Sequence, residues 1–282
     1  MAQSNDNYSV LMSVYHKEKP EYLKTSIDSA MAQTIIPNDI VLVCDGPLTD
    51  ELYLCIDELK KSYKCLRTIQ LETNSGLGKA LEIGIKETKN DIVMRMDSDD
   101  ICMPYRAEMQ LPLMKEYDLV GGYISEFEGD PDNLIGIRPT PENSAAIIKF
   151  AKKRNPFNHP SVMFKKEEII KCGSYISLKY MEDYYLWVRF LLNNQKVYNV
   201  QKVLVNMRSG IEMRSRRGNK EAKESIKFLR RYMYKNKFIN LLSYMFGTTM
   251  QLGLLSLPLK TRVKLYKTFL RKKTKKTQIE TA

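Results

Sequence analysis

Two spacings of apolar residues alternate along the first third of the chain. Residues 9–15, 39–45, 66–71 and 91–97 are short, nearly continuous apolar runs, the pattern of strands buried on both faces. Between them the apolar positions fall at helical spacing: Leu23, Ile27, Ala30 and Met31 share one face, and Leu77, Leu81, Ile85 and Thr88 share another. Strand alternating with helix predicts an α/β fold, a mostly parallel sheet covered by helices on both sides. Pro104 suits an early helical position, with Met109, Leu113 and Met114 continuing that helix. Farther on, the pattern predicts a strand over 161–164, a helix from Glu182 and a strand over 203–207.

After Arg208 the texture changes. A helix is predicted over 220–237, followed by an apolar stretch, 238–259, and a basic end, 260–276. Asn240, Gly247, Gln251 and Gly253 interrupt the apolar stretch, which makes it marginal as a membrane span and better suited to lying in the interface. A helical pair packed back on the body is the alternative. Charge follows the same division: residues 208–282 hold 20 Lys+Arg and 4 Asp+Glu, and the rest of the chain 25 and 29. A mildly acidic body with a strongly basic tail implies an anionic partner surface, either nucleic acid or phospholipid. The boundary is drawn at residue 212, leaving 213–282 as a basic, amphipathic helical extension.

A length of 282 residues with 43% hydrophobic content suffices for a full core. The five cysteines are widely spaced, with no Cys-x-x-Cys pair, which disfavours a disulfide framework or a zinc site and suits a reducing cytoplasm. Residues 1–8 are polar, so no signal peptide is expected.

The densest chemistry is Asp97-Ser98-Asp99-Asp100, directly after a predicted strand. Clustered carboxylates repel one another, and such a set suits a hard divalent cation, Mg²⁺ or Mn²⁺. Strand ends of open α/β sheets are also where ligands bind. The alternative is an Asx-rich turn capping the next helix. Asp45, before Gly46-Pro47, either accepts hydrogen bonds from a ribose or base edge or shapes its turn. Asn74-Ser75-Gly76-Leu77-Gly78-Lys79 opens a helix but lacks the spacing of a P-loop or dinucleotide fingerprint. His159, between Asn158 and Pro160, is either a satisfied interior histidine or a substrate contact. Glu182-Asp183 either caps its helix or holds a general base, with Trp187 one turn on as a stacking wall for a sugar.

In this order, these segments resemble the family 2 glycosyltransferases, inverting enzymes with the Rossmann-like GT-A fold. The resemblance runs from Ser9 to about Tyr234. It is carried by Val14-Tyr15 with Glu18, Val43-Cys44-Asp45-Gly46, Asn74 to Lys79, Met96 to Asp100, Asn158-His159-Pro160-Ser161 and Glu182 to Trp187. Met213-Arg214-Ser215-Arg216-Arg217-Gly218 is similar to the subgroup building bacterial capsule, exopolysaccharide and O-antigen units, the amylovoran-type transferases. The resemblance implies that residues 1–212 form the catalytic domain and that Val14, Tyr15, Glu18 and Asp45 grip a uridine. Asn74, Gly76 and Lys79 would line the nucleotide pocket, and Asp97 and Ser98 would meet the ribose or the metal's water shell. Asp99, with Asp97, would ligate Mn²⁺ or Mg²⁺ on the donor diphosphate; Asp183 would be the base; His159, Glu182 and Trp187 would meet the acceptor. Many relatives carry a histidine after the last strand where this chain has Asn206-Met207-Arg208-Ser209, so Arg208 is expected to neutralise the diphosphate.

The expected activity is hexose transfer from a UDP-sugar to a lipid-diphosphate-linked saccharide, peripherally on the inner face of a bacterial plasma membrane. A polyprenyl-phosphate glycosyltransferase, whose phosphate acceptor needs no strong base, and a sugar nucleotidyltransferase are the enzymatic alternatives. A nucleic-acid-binding protein using the basic tail is the third. The tail's apolar middle and the lack of a recognition motif count against it.

Overall fold

The computed structural model describes residues 7–209, 220–258 and 261. Strands β1 (Ser9–Val14), β2 (Asp39–Cys44), β3 (Leu66–Gln70) and β4 (Ile92–Arg95) alternate with helices α1 (Pro20–Met31), α2 (Asp50–Ser62) and α3 (Leu77–Glu87), as the apolar spacing predicts. Then follow β5 (Ile101–Cys102), α4 (Arg106–Gln110), β6 (Leu119–Phe127), β7 (Leu134–Arg138), α5 (Ser144–Ala151), β8 (Met163–Lys165), α6 (Lys166–Lys171), α7 (Glu182–Leu192) and β9 (Val197–Arg208). All nine strands join one sheet in the order β3-β2-β1-β4-β8-β6-β9-β5, with β7 on β6. β1 to β4 pair in parallel, β8 runs against both β4 and β6, and β9 runs parallel to β6. Six strands therefore end at one edge of the sheet: β1, β2, β3, β4, β6 and β9.

The core lies on both faces. One cluster gathers Val10, Met12, Ile40, Leu42 and Met94 beneath α1 and α2; the other gathers Leu11, Val41, Val43, Leu81 and Ile85 with the α7 residues Leu186, Trp187 and Phe190. Alternate strand residues feed opposite clusters, as the two-residue strand period requires, and each fully buried large apolar side chain contributes about 1.5–3 kcal/mol.

Several boundaries differ from expectation. The predicted strand at 161–164 is Met163–Lys165, because His159–Ser161 winds into a 3-10 turn. The last strand begins at Val197, earlier than 203. Pro104 lies in the turn before α4, its carbonyl accepting the Thr34 amide at 2.9 Å. β6, central in the second half of the sheet, goes unpredicted because Gly121-Gly122 breaks its apolar run. A Cβ on Gly121 would lie 2.2 Å from Asn199 Oδ1, so close backbone approach accounts for the glycine.

Helix α8 (Lys220–Lys235) buries Ala222, Ile226, Leu229 and Met233, and the last two join the α7 cluster. The expected apolar stretch 238–259 divides in two. Phe238 and Ile239 are buried in that same cluster, whereas α9 (Leu241–Ser256), N-capped by Asn240, buries no residue. Leu242 and Phe246 are 78% and 72% exposed. α9 is tied to α8 by Arg230, which donates to the Ser243 carbonyl and to Lys152 O. Among the described residues, no helix is long and apolar enough to cross a membrane. Met213 to Gly218 and all but one residue of the basic end fall outside the described residues.

Candidate active site

The shared polarity of six strands explains why residues far apart in sequence meet. Tyr15 after β1, Asp45 after β2, Asp97 after β4 and Arg208 at the end of β9 all lie along one edge.

At the β2 end, Asp45 is only 3% exposed. Its Oδ1 accepts the Ser75 amide at 2.7 Å and its Oδ2 the Gly76 amide at 3.0 Å, while Asn74 Nδ2 donates to Asp45 O at 3.1 Å. Asp45 thus clamps the 74–76 loop, the turn-shaping role. Gly46 takes φ +85°, and a Cβ there would sit 2.5 Å from Asn74 N, so glycine alone permits the strand end to meet the loop. Gly76, also left-handed at φ +86°, opens α3. Lys79, expected to line this pocket, pairs instead with Glu82 at 2.7 Å on an exposed flank of α3. Val14 is buried within the sheet, and its carbonyl accepts the Asp45 amide at 2.8 Å.

At the β4 end the acids are crowded. Arg95, fully buried, donates to Asp97 Oδ1. Ser98 Oγ donates to Glu18 Oε2. Asp100 is 1% exposed; its Oδ1 accepts the Arg208 amide at 2.8 Å, and its Oδ2 has no partner among the described residues. Burial, then the charges of Asp97 and Glu18, push Asp99 up to about 7. Burial, then the charges of Asp99 and Asp97, push Asp100 well above the usual carboxylate range. The Arg208 guanidinium stacks 3.7 Å from the Tyr22 ring centre and donates from Nε to Asp99 O at 3.2 Å.

Four carboxylates against two guanidiniums, with one buried oxygen orphaned, form a donor set that fits a divalent cation. No group of three or more His, Cys, Asp or Glu side chains is arranged as a ligand shell among the described residues. Magnesium-type ions can be held by one or two carboxylates, with water and substrate phosphates completing the shell.

β8 runs against β4, so the turn before it lies beside Arg95, whose amide donates to Val162 O at 3.0 Å. There His159 Nε2 meets the buried Tyr175 hydroxyl at 3.0 Å. Burial and the Arg95 charge hold His159 well below its ordinary pKa, hence neutral. Burial pushes the Tyr175 hydroxyl up, the Arg95 charge opposes this, and the carboxylates of Asp183 and Asp97 add to it. Asp183, in the first turn of α7, accepts from Asn155 Nδ2 at 2.6 Å. Glu182 lies against α3, its Cγ 3.0 Å from where a Gly78 Cβ would be, beside the 74–76 loop rather than apart from it.

Trp187 corrects the expectation of a sugar-stacking wall. It is 0% exposed and packed edge-on against Phe157, His159 and Tyr175, so it supports the His159–Tyr175 pair from below and offers no open face. Sequence reasoning assigns no role to Arg95, Asn155, Tyr175 or Tyr22. Only Arg95 leaves a local signal: an arginine inside an apolar strand needs a buried counter-charge.

The family profile described as glycosyl transferase family 2 matches residues 9–173. The Escherichia coli protein named UDP-Gal:alpha-D-GlcNAc-diphosphoundecaprenol beta-1,3-galactosyltransferase is 34% identical over 96% of this chain and 99% of its own length. The Erwinia amylovora amylovoran biosynthesis glycosyltransferase AmsE is 38% identical over 79% of this chain and 84% of its own. S. aureus TarS 1–349 in complex with UDP-GlcNAc superposes with TM-score 0.61 at 18% identity, covering 93% of this chain and 73% of that one. A Pyrobaculum calidifontis mannosyltransferase with GDP-Man and Mn²⁺ gives 0.58 at 14%, covering 91% and 72%. At those identities the two structures speak for the GT-A fold. With the family profile spanning more than half of the sequence and relatives alike over most of their length, the chain belongs to glycosyl transferase family 2 and is a glycosyltransferase.

Proposed function

We propose that the enzyme moves a hexose from a UDP-sugar, with inversion, to a lipid-diphosphate-linked saccharide in the assembly of a bacterial surface polysaccharide. The observation that carries this reading is geometric: Arg95, bonded to Asp97, pairs its backbone with the turn that holds His159, and His159 and Tyr175 pack on Trp187 of α7, the helix whose first turn carries Asp183. A site for the donor's phosphates and a site for a proton acceptor thereby adjoin. The activity printed for the E. coli relative supports the lipid-linked acceptor, the amylovoran relative supports the polysaccharide setting, and the UDP-GlcNAc complex of a like fold supports the nucleotide.

In this reading Tyr15, Glu18, Asp45, Asn74 and Gly76 border the uridine, backed from within the sheet by Val14, with Asp97 and Ser98 at the ribose. Asp99 and Asp97 would hold Mn²⁺ or Mg²⁺, which when bound supplies positive charge to the leaving diphosphate. Arg208 carries a fixed charge to the same place. An acceptor hydroxyl is too weak an acid to ionise alone, so Asp183 takes its proton as the anomeric carbon is attacked from the face opposite the leaving group. His159 and Glu182 border the acceptor. Residues 1–212 serve as the catalytic domain and 213–282 as a membrane-associating extension, anchored through α8. The exposed apolar side chains of α9 and the basic end suit an anionic membrane, where each Lys or Arg adds about 1 kcal/mol.

Incubating the full chain with a panel of nucleotide sugars, Mn²⁺ and a short lipid-diphosphate acceptor should release UDP. Asp183→Asn should cut turnover by roughly 10²-fold or more while leaving UDP affinity unchanged. Pyrophosphate as the product, or UDP binding lost in parallel with turnover, refutes the reading.

A further inference from the structure

The two oxygens of Asp183 are held by donors from two parts of the fold. Oδ1 accepts the Tyr184 amide at 2.7 Å, a bond local to the helix start, where backbone N–H groups lack partners. Oδ2 accepts from Asn155 Nδ2 at 2.6 Å, across 28 residues of sequence. Asn155 is itself oriented, because its Oδ1 accepts the Phe157 amide at 3.3 Å. With the oxygen turned to an N–H, the NH₂ group is left for Asp183, which fixes the amide orientation. Phe157 is buried against Trp187, ring centres 5.6 Å apart, and Asn199 Nδ2 donates to the neighbouring Pro156 carbonyl at 3.3 Å. The anchor therefore belongs to the core.

We propose that Asn155 is a positioning residue for glycosyl transfer, its amide N–H setting the rotation of the Asp183 carboxylate so that the carboxylate can take the acceptor's proton. The inference rests on the reading of Asp183 as the base. A carboxylate's terminal torsion is broad and roughly two-fold, and the Asn155 bond on Oδ2 adds a second point of restraint to the Tyr184 bond on Oδ1. Proton abstraction requires an oxygen within about 2.6–3.2 Å of the hydroxyl. A neutral amide restrains the rotation while leaving the negative charge in place. A lysine or arginine there would add a full positive charge and weaken the base.

The test is steady-state kinetics of the full chain with a UDP-sugar and a soluble lipid-diphosphate acceptor, run beside calorimetry of UDP binding. Asn155→Ala should lower kcat by roughly 10- to 100-fold, the scale of misplacing a catalytic group by about 1 Å, with donor KM and UDP affinity unchanged. Asn155→Asp keeps the size and the acceptor for the Phe157 amide but turns a carboxylate toward Asp183, and should be at least as slow. In the Asp183→Asn background, adding Asn155→Ala should cost nothing further, since no carboxylate remains to orient. Full turnover by Asn155→Asp overturns the proposal, as does a double variant slower than Asp183→Asn by the whole factor of Asn155→Ala. If Asp183→Asn itself turns over normally, the base reading fails and the positioning role with it. If only the Asn155 variants are unaffected, the base stands and the positioning role alone is rejected.

Discussion

Replacing Asp99 with asparagine should abolish most turnover and yet stabilise the protein in chelator. Burial, Asp97 and Glu18 raise the Asp99 carboxyl from 3.8 to about 7. A group whose pKa is raised on folding adds stability that is fully present below its unfolded value and is lost as pH rises through its folded one. The window here is about pH 4 to 7, where the folded protein keeps a proton that the unfolded chain has released. At 1.36 kcal/mol per unit, that shift limits the loss to roughly 4 kcal/mol above pH 7. An asparagine must still be desolvated, and Asp97 goes on repelling Asp100, so the gain for Asp99→Asn should be about 1–3 kcal/mol near pH 8 and close to zero near pH 4. Urea unfolding of both proteins in EDTA at the two pH values measures it. With Mn²⁺ added, wild type should rise in melting temperature and the variant should not. A variant no more stable than wild type near pH 8, or a gap that ignores pH, would refute the crowding argument.

Gly46→Ala forces a Cβ to 2.5 Å from Asn74 N at a left-handed position, so it should displace the clamped loop and weaken UDP binding by about tenfold or more. Calorimetry with UDP reads this, and Asp183→Asn, with affinity retained, serves as its control. Ending the chain after Asn240 keeps Phe238 and Ile239 in the core, and should leave a folded, UDP-binding protein that no longer floats with anionic vesicles. Salt should weaken vesicle binding by the full chain without removing it, because the apolar contribution of α9 is not screened. A truncated protein that still floats would assign the membrane contact elsewhere.

Much of the parallel half was legible because its signals are local. Runs such as 39–45 announce strands, and the acids at 97–100 follow one directly. Trp187 was misread although its setting was legible too. Nearly every residue from Tyr184 to Leu191 is apolar or aromatic, and a helix apolar all round is a buried one. The antiparallel half was harder. β6 is interrupted by Gly121-Gly122, and its pairing with β9 joins residues about eighty apart. The Asn155–Asp183 bond and the Tyr175 hydroxyl exist only through tertiary packing, and no residue spacing signals them.

The position of the site follows from β4. On one side this strand pairs in parallel with β1, and on the other it runs against β8. Its carboxyl end therefore borders the ends of β1 and β2, with the Asp45 loop, and also the turn that leads into β8, with His159. A wholly parallel neighbour would begin at the far edge and bring no such turn here. The reversal sets two differently built surfaces face to face at the residues that follow Arg95. It also makes Arg95 an expected cost of the design: acids gathered where two half-sheets meet are shielded from water. A buried guanidinium bonded to Asp97 offsets one charge, the nearby Arg208 guanidinium, which donates to the Asp99 carbonyl, partly offsets the Asp99 charge, and the charge left over is the part that a divalent cation can match.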